Sequence, residues 1–75
     1  MNKIRRTKLK TWKIKAENLK DELEDILSEE QDAFDNMPEG LQCSSRGEIS
    51  ESAIEQMEEA SSLLEDAISA IDEII

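Results

Sequence analysis

Helical periodicity breaks only once in this chain, in the stretch Phe34-Asp-Asn-Met-Pro-Glu-Gly-Leu-Gln-Cys-Ser-Ser-Arg-Gly-Glu48. Pro38 has no amide hydrogen to give to a helix and pushes Met37 toward extended backbone, while Gly40 and Gly47, the only two glycines, permit turn conformations that other residues resist. The chain therefore folds back here. The spacing predicts a helix over about 3–36, a turn over about 37–45 and a second helix over about 46–75. Ser45-Arg-Gly-Glu48 has the form of a capping box for the second helix, with Ser50 as a second candidate cap.

Before the break, Leu9, Trp12, Ala16, Leu19, Leu23, Ile26, Ala33 and Met37 recur at steps of three and four, with one polar interruption at Glu30. Leu27 and Phe34 widen this heptad seam on one side. After the break, Ile54, Met57, Ser61, Leu64, Ile68, Ile71 and Ile75 repeat the pattern. Ala53, Ala60, Ala67 and Ile74 form a parallel line spaced by sevens, so the second helix has more apolar surface than one partner covers. Folding about residue 43 sets Phe34 against Ile54, Leu23 against Leu64, Leu19 against Ile68 and Trp12 against Ile75. The expected fold is all-α, an antiparallel helical hairpin that assembles into a homo-oligomeric helical bundle. Leu19, Leu23, Phe34, Ile54, Met57, Leu64 and Ile68 are its expected packing or interface residues, with Trp12 as the end layer of the core.

A chain of 75 residues forms a single domain. It buries only about 60% of the surface its unfolded chain exposes, so a further staple is expected. The single cysteine, Cys43, makes no intramolecular disulfide, and without histidine the inventory assembles no zinc site. Oligomerisation is the remaining staple. There is no apolar run of about 18 residues and no signal-peptide pattern, which points to a protein of the cytoplasm rather than of a membrane.

Charge is divided along the chain. Lys3, Arg5, Arg6, Lys8, Lys10, Lys13 and Lys15 occupy a head without acids, while the rest of the sequence holds nineteen acids against Lys20 and Arg46. Two readings compete for the head: an arm seeking a polyanion, or a segment settling against its own or a neighbour's acidic surface. The fold-back sets Lys13 and Lys15 near Asp72 and Glu73, and Lys20 near Glu65 and Asp66; residues 1–11 overhang. The second reading is preferred, so neither nucleic acid nor membrane is an expected partner.

No histidine, nucleophile motif or phosphate loop is present, so no catalytic residue, cofactor or metal is assigned. The acidic pairs such as Asp21-Glu22 and Glu58-Glu59 read as solvated helix faces. Trp12 among lysines suits base stacking or a membrane interface, but it lies on the seam. Cys43 is a small turn residue with no base placed to activate it. Arg46 is the lone cation of the turn, at the start of the second helix beside Ser45, Ser44 and Gln42. Free helix amides, hydroxyls and an arginine make a candidate anion site; a salt bridge from Arg46 to Asp35 or Glu39 is the competing reading.

Glu30-Gln-Asp-Ala-Phe-Asp-Asn-Met-Pro-Glu-Gly-Leu-Gln42, then Ser45-Arg-Gly-Glu48 and an Ala/Ile/Leu/Glu-rich final helix, resembles short acidic two-helix proteins encoded by phages and prophages of bacteria. The resemblance covers about residues 19–75 and leaves out the basic head. It implies a phage or prophage accessory protein and says nothing about catalysis. The expected function is a non-enzymatic inhibitor docking on a host or anti-phage defence protein. The alternatives are a sponge for an anionic nucleotide signal at the turn, and a DNA mimic or nucleic-acid binder.

Overall fold

A computed structural model describes all 75 residues, Met1–Ile75. It contains α1 (Lys3–Asp35), the short α2 (Glu39–Gln42) and α3 (Ser45–Asp72), with no strand. The basic head is helical almost from its first residue, because Asn2 caps it: its side-chain oxygen accepts from the Arg5 amide at 2.9 Å. Helix α1 then runs 33 residues with no glycine or proline to interrupt it. It stops where Pro38 requires extended backbone before it. Pro38 in turn opens α2, its carbonyl accepting from the amides of Leu41 and Gln42.

The molecule is a thin rod of 58 × 15 × 13 Å in which α1 lies along α3. Contact partners are numbered in opposite order. Lys13 meets Asp72, Lys20 meets Glu65, Glu24 meets Ser61 and Glu30 meets Ser50. In the first three pairs the residue numbers sum to 85, close to the value of about 87 that the fold-back implied.

On α3 the seam is the one the spacing predicts. Ile54, Ser61 and Ile68 are buried, and Met57, Leu64, Ile71 and Ile75 are half-buried. On α1 the seam is turned by about one residue. Leu9, Ala16 and Leu23 face the partner as expected, but the alternate positions are filled by Lys13, Lys20, Leu27 and Phe34. Trp12, Leu19 and Ile26, placed on the seam by the sequence, are 39%, 57% and 53% exposed. The physical reason is that two lysines serve as seam residues. Their stems lie against α3 and their ammonium groups reach acids at its edge, which a spacing argument that treats lysine as purely polar does not allow.

The expected capping box does not form. Ser44 is the N-cap of α3, Ser45 is its first residue, and the Ser44 hydroxyl donates to the Leu41 carbonyl instead. Ser50 is not a cap either: it is buried, and it donates to Glu30 across the pair. Neither glycine adopts a left-handed backbone. Gly47 is needed for closeness, because a Cβ there would lie 2.0 Å from the Gln42 carbonyl oxygen, where the chain leaving α2 crosses the first turn of α3.

Only six of the 75 residues are buried, and they include no large side chain fully enclosed. One helix pair therefore gives a thin core.

Candidate functional site

The four residues proposed for an anion, Arg46, Ser45, Ser44 and Gln42, lie where α2 passes into α3. Arg46 is exposed and takes part in no ion pair, so the bridge to Asp35 or Glu39 is not made. Two of its three companions are engaged locally. The Gln42 side-chain amide donates to the Phe34 carbonyl at 2.9 Å, pinning α2 to the end of α1, and the Ser44 hydroxyl is turned to Leu41. Ser45 is exposed. The turn thus presents a guanidinium and one hydroxyl, with Leu41 (43% exposed) and Ile49 (70%) beside them in sequence. Cys43 is exposed and unpaired.

The opposite end holds an open cleft of about 440 Å³ lined by Lys10, Lys13, Ile14, Glu17, Asp72 and Ile75. Lys13 sits between Asp72 at 2.6 Å and Glu17 at 3.7 Å. Lys20 sits between Glu24 and Glu65, both at 3.1 Å. Both lysines are held above their ordinary pKa, Lys13 chiefly by its hydrogen bond to Asp72 and Lys20 chiefly by those to Glu65 and Glu24. Lys15 and the head residues Lys3, Arg5, Arg6, Lys8 and Lys10 make no ion pair. No group of His, Cys, Asp or Glu side chains is arranged to hold a metal ion, and no helix is long and apolar enough to cross a membrane.

The two flanks of the helix pair differ in chemistry. Each helix alternates two inward ladders. The residues that follow one ladder are Glu17 and Glu24 on α1 and Glu65 and Asp72 on α3, and these make the ion pairs. The residues that precede the other ladder are Trp12, Leu19, Ile26 and Ala33 on α1, and Ala53, Ala60, Ala67 and Ile74 on α3. When helices run in opposite directions, matching positions share a side, so the ion pairs lie on one flank and these apolar residues on the other.

Further round α3 lies a line the spacing argument missed: Ile49, Gln56, Leu63 and Ala70. Together with the alanine line it gives Ile49, Ala53, Gln56, Ala60, Leu63, Ala67, Ala70 and Ile74, a second heptad series at alternating steps of four and three. Ile49 is 70%, Leu63 60% and Ile74 45% exposed. The steps themselves were the signal. No family model matches this chain, and no curated protein or solved structure shows significant similarity to it.

Proposed function

We propose that the chain is an antiparallel helical hairpin that works by binding rather than by catalysis, a phage or prophage accessory protein that occupies a host or anti-phage defence protein. The observation that carries this reading is the row of large apolar side chains on the outside of α1, Trp12, Leu19 and Ile26, set seven residues apart and more than a third exposed. Such a row adds little to a two-helix core. Against a partner it offers an aromatic anchor and two aliphatic knobs on a rigid helix, the usual make-up of a helix that docks in a groove. Lysines border the row at Trp12 and acids border it at Ile26, so it selects a partner whose rim is acidic opposite the first and basic opposite the second.

The second reading, a sponge for an anionic nucleotide, is favoured by one feature: Arg46 has no protein partner. Its companions are fewer than the sequence suggested, since Gln42 and Ser44 are committed to the turn. Pull-down from infected or expressing host cells, with mass spectrometry of retained proteins and small molecules, separates the readings. A retained host protein whose capture disappears with Leu19→Glu supports docking. Retention of a nucleotide alone, lost with Arg46→Ala, overturns docking in favour of the sponge.

A further inference from the structure

We propose that the outer series of α3 is the interface with a second copy of this chain, packed antiparallel with the twofold axis near the middle of the helix, between about Ala60 and Leu63. The inference goes beyond the docking reading, which uses α1, and names a different partner for α3, although Ala53, Ala60, Ala67 and Ile74 lie on the flank that Trp12, Leu19 and Ile26 share.

Two independent features point to this occupant. The first is the series itself. Ile49, Ala53, Gln56, Ala60, Leu63, Ala67, Ala70 and Ile74 read the same in both directions as a sequence of steps. An antiparallel copy centred in it therefore sets Ile49 against Ile74, Ala53 against Ala70, Gln56 against Ala67 and Ala60 against Leu63 of the partner subunit. The end layers pair isoleucine with isoleucine, the next pair alanine with alanine, and the inner layers set Gln56 or Leu63 against an alanine, so large side chains meet small ones there and no charged residue enters the seam. Alanine at four of the eight positions lets the two helices approach closely.

The second feature is charge. Helix α1 has no acid in its first turn and no base in its last, and its bases cluster at the amino end while Asp32 and Asp35 stand at the carboxy end. That order opposes the helix macrodipole, so it does not serve α1 by itself. At the turn end, Glu29, Asp32, Asp35, Glu39, Glu48 and Glu51 make no ion pair, and at the other end neither do Lys3, Arg5, Arg6, Lys8 and Lys10. The rod is 58 Å long, too long for its own ends to neutralise each other through salt solution. An antiparallel copy brings the basic end of each chain beside the acidic turn of the other. A parallel copy would set base on base and acid on acid, and is disfavoured for that reason.

The test uses the full chain with Cys43→Ser as background, so that only introduced thiols react. Ile49→Cys and Ile74→Cys chains are mixed under mild oxidation and the disulfides counted. The mixed 49–74 disulfide is expected to exceed both like-with-like products together; predominance of 49–49 and 74–74 overturns the antiparallel pairing. Leu63→Glu, at a site exposed in the single chain and so compatible with its fold, is expected to give full loss of the dimer in sedimentation equilibrium at micromolar concentration, with helicity kept. An unchanged dimer mass in that variant, or a wild-type chain at the 8.5 kDa of one copy, overturns the proposal. A single-copy protein that still captures a host protein would remove this pairing and leave the docking reading standing; a dimer that captures nothing would do the reverse.

Discussion

Ser50 and Glu30 face each other across the helix pair, the serine hydroxyl donating to the glutamate carboxylate at 2.7 Å. Glu30 is the one polar residue in the α1 series that has no lysine's reach to the edge, and the buried Ser50 is what makes its half-buried position tolerable. The buried Ser61 likewise donates across the pair, at 3.3 Å, to the exposed Glu24 at the edge of the seam. These bonds place polar groups at fixed layers of the seam, and a slip by one turn would leave them unpaired.

Ser50→Ala should therefore destabilise the fold by about 1–2 kcal/mol, the cost of leaving a carboxylate at the seam without its donor. Ser50→Ala combined with Glu30→Leu should recover most of that loss, since two apolar groups satisfy the layer. Urea unfolding followed by circular dichroism checks both. Equal stability of Ser50→Ala and wild type would mean that water replaces the serine freely.

The two glycines should respond in opposite directions. At Gly40 an added Cβ meets nothing within 4 Å, so Gly40→Ala in α2 should stabilise by about 0.5–1 kcal/mol through the unfolded chain. At Gly47 the added carbon strikes backbone of Gln42, which no side-chain rotation relieves, so Gly47→Ala should destabilise by about 2–3 kcal/mol. Thermal melts of the two variants decide the matter, and a stabilised Gly47→Ala would refute the close crossing.

Lys13 and Lys20 give the fold an alkaline limit. A cation whose pKa is raised on folding contributes stability that is complete below the unfolded value and is lost as pH rises through the folded one. For these lysines the ordinary value is 10.5 and the folded values lie above it. The contribution should be level through neutral pH and fade only above about 10.5, and it should shrink in high salt because all four ion pairs are open to solvent. Unfolding midpoints from pH 8 to 11.5, compared with a Lys13→Met, Lys20→Met chain, test this. A wild-type decline already complete at pH 9 would assign it to other groups.

Much of this architecture could be read from spacing alone, and the exceptions have physical causes. The α3 seam was legible because Ile54, Leu64 and Ile68 present larger apolar side chains than the rival line through Ala53, Ala60, Ala67 and Ala70. On α1 two ladders compete, Trp12, Leu19 and Ile26 against Lys13, Lys20, Leu27 and Phe34. Hydropathy favours the first; the fold uses the second, since the stems of Lys13 and Lys20 count as apolar surface and their tips find Asp72 and Glu65. The cap was misplaced by one residue because Ser44 and Ser45 offer the same chemistry to the same amides. At the turn, Arg46 could be singled out by its isolation among acids, but the commitment of Gln42 to Phe34 depends on how α2 folds back and leaves no trace in spacing.

If the chain docks as proposed, α1 has a structural ladder and a binding ladder, with Leu23 in the first and Leu19 in the second. Paired variants measured for stability and for capture of the host protein test this most directly. Leu23→Ala should cost about 1–2 kcal/mol of folding stability, as a half-buried seam residue, and retain capture wherever the chain is folded. Leu19→Glu should leave stability within about 0.5 kcal/mol of wild type and abolish capture. A Leu19→Glu chain that is unfolded, or one that is folded and still captures the same protein, would contradict the division.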